Sequence, residues 1–398
     1  MQYVITNIEE KRVSALLDGN QLVQIYAEPV DESALLGNIY IGKVKNIVKN
    51  IAAAFVEISD GIMCYLPLQD VGDAQFTKPK KNNALVVGDE LLVQVSKDAI
   101  KTKNPSVTTK LQLAGKYVVL TTEDTRISIS SKIKDKTQRQ ALQNLAVAEL
   151  SETSFGCIMR TNSMDADPTL VLNEILALKN QLEDIVTKGK HRACFSKLYG
   201  VLPQYLQNLR DLSADVVDKV VTDLPEVYQE LQAYEKCQNH TSPMQVEYFE
   251  EEGVSLQRVY GLQQKIQKLL QERVWLKSGG YLVIQPTEAL TVVDVNSGKA
   301  INGKKIQSHF LKINKEAAVE IARQIRLRNL SGIIIIDFID MESPDLQKEL
   351  LCCLEKEIQK DSVRTVLVDM TKLQLVELTR KKVKKPFHEQ WSGVTRKE

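Results

Sequence analysis

Residues 290–296 read LTVVDVN, and Ser297, Gly298 and Lys299 follow. The run begins as an apolar strand, then places Asp294 and Asn296 where Val or Ile would continue the pattern. Side chains on a strand alternate between faces, so this carboxylate and amide point the same way, at the C-terminal end of the strand. A second apolar strand, IIIID, ends on Asp337, with Asp340 three residues beyond. In open α/β sheets, ligands occupy the crevice beyond such strand ends. Two carboxylates converging there repel, and a buried unpaired charge is costly; a hard divalent cation resolves both. Mg²⁺ suits one or two carboxylates with retained waters and a phosphate oxygen, and Mn²⁺ is the alternative ion. Such an ion polarises a phosphoryl group and lowers the pKa of a bound water. Asn296 would hold that water or a phosphate oxygen, and Gly298 would let a backbone come close. The plain alternative is that each aspartate caps a loop or the following helix.

The surrounding pattern extends this element in both directions. GGYLVIQ precedes it as a strand, and residues 312–329 form a helix with Ala318, Ile321, Ala322 and Ile325 on one face, ended by Ser331-Gly332. After IIIID come a helix over 344–359, a strand RTVLVD and a closing helix over 371–382, which implies a mainly parallel sheet covered by helices. Upstream, residues 168–277 carry apolar residues at helical spacing, interrupted near CQNHTSP and EEEG. Residues 111–168 contain YVVLTT, RISISSKI, a polar helix over 135–148 and FGCIMRTN. From Gly37 to Lys110 the short strands NIYIGKVKNIV, AAAFVEIS, GIMCYLPL and DELLVQVSKD suggest a small barrel, and RVSALLDG and QLVQIYAEP precede it.

The 398 residues have room for roughly two or three domains. Composition is that of an ordinary globular chain, 43% hydrophobic and 26% charged. With 52 basic against 51 acidic residues, any nucleic-acid surface must come from local clustering. The six cysteines, at 64, 157, 194, 237, 352 and 353, form no CxxC, so neither a disulfide framework nor a zinc site is expected. The N-terminus lacks an apolar signal core and no stretch resembles a membrane span, so a cytoplasmic protein is expected, with no membrane partner.

The stretch GNIYIGKVKNIVKNIAAAFVEISDGIMCYLPL is similar to an S1-type RNA-binding OB barrel, on Gly42, Val44, Ala53-Ala54-Phe55-Val56, Gly61 and Tyr65-Leu66-Pro67. In such barrels exposed aromatics stack on bases, which makes Phe55 and Tyr65 the candidate platform, unless both fill the barrel core. Lys97, Lys101, Lys103, Lys110 and Lys116, opposed only by Asp98, would hold a phosphate backbone beside it.

Taken with SGGYLVIQPTEALTVVDVNSGKA and RLRNLSGIIIIDFIDM, these features resemble the ribonuclease E/ribonuclease G family from the N-terminus to about residue 381. The resemblance implies a multidomain α/β and β chain. A discontinuous ribonuclease-H-like domain (1–35 and 205–270) would carry an inserted S1 domain (36–110) and a 5′-sensor domain (111–204). A deoxyribonuclease-I-like α/β catalytic domain (271–385) and a basic tail (386–398) would follow. Residue by residue, the family's metal-holding aspartates match Asp294 and Asp337, and its catalytic asparagine matches Asn296. Its 5′-monophosphate sensor matches Arg160-Thr161, with Gly115 and Val119 as backbone positions and Arg364 in support. Its RNA contacts match Phe55, Tyr65 (in place of a phenylalanine), Lys97 and Lys103. A guanidinium fork and a hydroxyl suit a terminal monophosphate on chemical grounds as well.

The family's CPxC zinc link has no counterpart in TRKKVKKPFHEQWSGVTRKE, so zinc and a zinc-linked dimer are not expected, and homo-oligomerisation stays open. The implied activity is Mg²⁺-dependent endonucleolytic cleavage of single-stranded RNA, in ribosomal RNA maturation and mRNA turnover, leaving a 3′-hydroxyl and a 5′-monophosphate. The competing reading is a non-catalytic RNA-binding or ribosome-associated protein that keeps the fold; a pure binder has no need of carboxylates facing phosphate. A metal phosphatase acting on small molecules is disfavoured by the barrel and the lysine run.

Overall fold

The computed structural model describes residues 1–30, 35–72, 74–80, 84–98, 104–212, 216–237, 244–298 and 306–392, except the side chains of 237 and 306. The chain divides into two compact units, Met1–Glu32 with Ala214–Glu398, and Ser33–Ser213.

In the first unit, strand Leu290–Asn296 belongs to a six-stranded sheet. The order is Arg273–Trp275, Tyr281–Pro286, Leu290–Asn296, Gly332–Asp337, Leu375–Arg380, Thr365–Met370. Val293, Val295, Ile334, Ile336, Val376 and Leu378 are buried together with helices Ile306–Leu327 and Pro344–Gln359. The first helix contributes Ala317, Ala318, Ile321, Ala322 and Ile325, an apolar stripe at helical spacing. Alternation then turns Val292, Asp294, Asn296, Ile333 and Asp337 to the opposite face, where none is buried.

Two expectations are corrected here. The sheet is not mainly parallel: only Leu290–Asn296 with Gly332–Asp337 runs parallel, and the other four pairings are antiparallel. The closing helix over 371–382 is instead strand Leu375–Arg380, inserted between two other strands. Its buried positions, Val376, Leu378 and Arg380, recur every second residue, which fits a strand and not a helix.

Arg380 is held inside the fold by polar partners. Its Nε donates to Asp361 at 2.7 Å, and its Nη1 donates to Asn329 Oδ1 at 2.8 Å and to the Leu330 carbonyl at 2.9 Å. Asn329, at φ +48°, in turn donates to the Lys384 and Lys385 carbonyls at 3.0 and 2.9 Å. Both Asp361 and Arg380 are buried.

A second sheet of this unit has the order Gln21–Pro29, Lys11–Asp18, Gln2–Ile8, Lys219–Thr222, Gln245–Tyr248, the last two parallel to Gln2–Ile8 and to each other. The helical pattern read over 168–277 is therefore broken by strands at 219–222 and 245–248, each of only four residues, too short to show a period against the flanking helices. The basic tail is corrected as well: Phe387–Ser392 is a helix, and Phe387 is buried in the core of this sheet with Val4, Leu17, Ile25 and Leu262.

In the second unit, strands Ile39–Val48, Ala53–Ser59, Ile62–Pro67, Ser106–Thr108 and Glu90–Lys97 close into a five-stranded barrel, because Ile39–Val48 pairs with both Ala53–Ser59 and Glu90–Lys97. A four-stranded sheet, Ile127–Ile129, Gly156–Met159, Val118–Thr121 and Gln112–Ala114, packs with helices Lys136–Leu150 and Pro168–Lys188. Among the described residues no helix is long and apolar enough to cross a membrane.

Removing one partner of a buried ion pair leaves the other charge uncompensated. Arg380→Ala is expected to lower unfolding stability by about 3–5 kcal/mol in denaturant titration. An Asp361→Leu/Arg380→Met double replacement is expected to recover most of the loss.

Candidate active site

Asp294 and Asp337 are register partners across the parallel strand pair. Neighbouring strands lie about 4.8 Å apart, and residues in register share a face, so the two carboxylates stand side by side at the strand ends. Asn296 lies two residues on, and its Nδ2 donates to Asp294 Oδ2 at 2.7 Å. Partial loss of hydration raises the pKa of the exposed Asp337, and the negative charges of Asp294 and Asp340 add to the rise.

The glycines around the pair let two backbone segments crowd together. Gly298 has φ +74°, and a Cβ there would lie 2.2 Å from the Gly279 carbonyl oxygen, closer than any side chain allows. A Cβ on Gly280 would lie 2.6 Å from the Asn296 carbonyl oxygen. SGG at 278–280 and NSG at 296–298 are in this sense one packed unit.

The donor set fits a hard cation of low protein coordination. Among the described residues no cluster of three or more His, Cys, Asp or Glu forms a cage. Two carboxylates with an amide beside them match Mg²⁺, which keeps several waters and takes few protein ligands. A soft or cage-bound metal would find too few donors here.

The proposed RNA contacts lie in the second unit. Phe55 and Tyr65 are register partners with ring centroids 6.3 Å apart and planes at 80°. Both are half-buried and neither belongs to the barrel core, which is made of Val44, Ala54, Val56, Cys64 and Leu66 among others. Ser106 pairs with Tyr65 on one side and with exposed Lys97 on the other. Phe55, Tyr65, Ser106 and Lys97 therefore run in one row across four strands. Lys103 and Lys101 fall outside the described residues. The rest of the lysine run is not a phosphate track: Lys110 is paired with Glu123 at 2.6 Å, and Lys116 is buried beside the Tyr117 ring.

Arg160 and Thr161 close the Gly156–Met159 strand in the same unit. The Arg160 fork grips Asp211 bidentately, at 2.8 Å from Nη1 to Oδ1 and 3.0 Å from Nη2 to Oδ2, and Nη1 also donates to the Gly115 carbonyl. Burial pushes Asp211 up, but Arg160 and Arg210 outweigh it and hold the carboxyl below its ordinary range. Thr161 Oγ1 shares a hydrogen bond with Ser130 Oγ at 2.9 Å. Gly115 donates its amide to Val118, and Val119 sits in register between Ala114 and Ile158. Arg364 is exposed before strand Thr365–Met370, in the other unit.

Sequence reasoning missed two carboxylates of this region. Asp211 is 51 residues from Arg160. Glu174 accepts the backbone amides of Lys116, Tyr117 and Val118 at 2.6, 2.7 and 2.9 Å, and a Cβ on Gly115 would strike it at 2.4 Å. Nothing local marks either residue, because both partners are supplied by tertiary folding.

The sequence pattern of the Ribonuclease E/G family matches residues 112–383. Ribonuclease G of Salmonella typhimurium (strain SL1344) is 32% identical over 385 residues, covering 94% of this chain and 78% of that protein. Ribonuclease G of Escherichia coli (strain K12) is 32% identical over 388 residues, with the same coverage. Ribonuclease E of Nostoc sp. (strain PCC 7120) is 32% identical over 382 residues, 94% of this chain and 55% of that protein. A family pattern spanning the whole Leu290–Asn296 sheet, and relatives aligned over nearly the whole chain, lead to one conclusion: the chain belongs to the Ribonuclease E/G family.

Proposed function

We propose that this protein is a Mg²⁺-dependent endoribonuclease that hydrolyses single-stranded RNA, leaving a 3′-hydroxyl and a 5′-monophosphate. The observation that carries the reading is the register pairing of Asp294 with Asp337, which sets two carboxylates at one pair of strand ends. Family membership supports the reaction class, and the relatives are named as ribonucleases. Ribosomal RNA precursors and mRNA are the proposed substrates and the cytoplasm the proposed location. By the same reading the closed barrel is an S1 domain and residues 111–204 a 5′-sensor domain. The Gln2–Ile8 sheet is ribonuclease-H-like, and the Leu290–Asn296 sheet is deoxyribonuclease-I-like.

Asp294 and Asp337 would hold the Mg²⁺, which would supply positive charge against the phosphodiester and lower the pKa of a water. Asn296, steered by its hydrogen bond to Asp294, would orient a phosphate oxygen or the attacking water. Phe55 and Tyr65 would stack on bases and Lys97 would contact the backbone, which makes binding tolerant of sequence and sensitive to salt. In the sensor, a 5′-monophosphate would take the place of the Asp211 carboxylate on the Arg160 fork, one bidentate anion exchanged for another.

Asp294→Asn is expected to abolish Mg²⁺-dependent cleavage of a 5′-labelled RNA oligomer while RNA binding survives; cleavage at the normal rate would contradict the assignment. Asp340→Asn removes one of the charges that raise Asp337, so the Asp337 pKa should fall. At subsaturating Mg²⁺ the acid limb of the pH–rate profile is then expected to move to lower pH, because the proton competes less well with the ion. Arg160→Ala should erase any preference for 5′-monophosphate over 5′-hydroxyl RNA. Asp211→Asn, which removes the competing charge, should increase that preference, and paired kcat/KM measurements on the two RNAs check both.

A further inference from the structure

The sheet that carries Asp294 and Asn296 bears a group of side chains that this chemistry leaves unused. Trp275 is the register partner of Tyr281, and Tyr281 of Asn296, in one row across three strands. Two residues along, Arg273, Val283, Asp294 and Asp337 form the next row on the same face. Trp275, Tyr281 and Arg273 therefore share the face and the strand ends of the two carboxylates. The Trp275 and Tyr281 ring centroids are 5.3 Å apart with planes at 58°. The Arg273 guanidinium lies 4.5 Å from the Tyr281 ring centre and 5.8 Å from that of Trp275. Trp275 nevertheless leaves 65% of its surface to water.

A braced but exposed indole is a rigid, flat, apolar surface with little entropy left to lose on binding. Two strand spacings put its backbone about 10 Å from that of Asn296, within reach of a nucleotide next to the one being cut. A polyanion approaching two carboxylates also needs a nearby positive charge, and Arg273 brings one.

We propose that Trp275, braced by Tyr281 and Arg273, is a stacking platform for an unpaired RNA base beside the scissile phosphodiester, with Arg273 against the adjacent backbone. The proposal rests on the endoribonuclease reading and names a substrate contact for the same site. Such a platform would confer a preference for single strands at the point of cleavage itself, since a base stacked within a duplex has no free face to offer.

The chain has two tryptophans, so Trp391→Phe leaves Trp275 as the only indole; Trp391 packs on Phe387 in the other sheet's core. In this variant, without divalent metal so that nothing is cut, an end-labelled single-stranded RNA oligomer is titrated, and its anisotropy and the tryptophan fluorescence are read together. Saturable quenching that tracks binding is expected, and an abasic oligomer of the same length should bind without quenching. With Mg²⁺, Trp275→Ala should raise KM for single-stranded RNA by about 5- to 150-fold with kcat unchanged, and Trp275→Phe should recover most of the loss. Binding without quenching, no saturable binding, or an unchanged KM in Trp275→Ala would each overturn the platform. A protein that quenches but does not cut with Mg²⁺ overturns the nuclease reading and leaves the platform standing, whereas one that cuts without quenching loses the platform alone.

Discussion

Two negative charges held side by side are the constraint around which the Leu290–Asn296 sheet is built. Asp294 and Asp337 face each other across its one parallel pairing, and partial loss of hydration together with the charges of Asp294 and Asp340 raises the Asp337 pKa. Left to itself this contact is unfavourable, and the strands could avoid it by slipping one residue. The core forbids that. Val293 and Val295 on one strand, and Ile334 and Ile336 on the other, are buried on the opposite face, and a one-residue slip would turn these into solvent and the carboxylates into the core. Apolar packing on one face thus enforces an electrostatic conflict on the other, which the proposed divalent cation would relieve.

The same economy of charge governs the second unit. Lys110 is neutralised by Glu123 and Arg160 by Asp211, so basic residues that look available in the sequence are engaged in the fold. Lys97 is exposed at the end of the row through Phe55 and Tyr65. Affinity for a polyanion would then depend on a few placed cations and on aromatic faces more than on net charge, consistent with a formal charge of +1. If Arg160 serves as the proposed 5′-phosphate fork, the Asp211 carboxylate that already closes it would make any incoming anion compete for it.

Much of this was legible in the chain because it rests on local pattern. The apolar runs ending in Asp294 and Asp337 announced the strand ends, and the helix over 344–359 matches Pro344–Gln359. The alternation over 39–67 announced the barrel strands. What escaped lacks local signal. KVVT at 219–222 is a strand because Gln2–Ile8, more than two hundred residues earlier, offers an edge to pair with, and QVEY at 245–248 pairs in turn with KVVT. LVELTR at 375–380 has period two, but a buried arginine in its last position hides it until Asp361 and Asn329 are seen around the guanidinium. Phe387 reads as part of a basic tail until the core it enters is known. Asp211 and Glu174 are ordinary helix carboxylates whose partners come from elsewhere in the fold.

The central claim is that these two carboxylates act as one ligand set, and cation binding tests it without any turnover. Mn²⁺ titrated into the wild-type protein, Asp294→Asn, Asp337→Asn and the double variant, with free Mn²⁺ read by electron paramagnetic resonance, reports the site directly. The account predicts one Mn²⁺ site in the wild type, lost in either single variant, with no further loss in the double. Equal Mn²⁺ binding by the wild type and the double variant would contradict it.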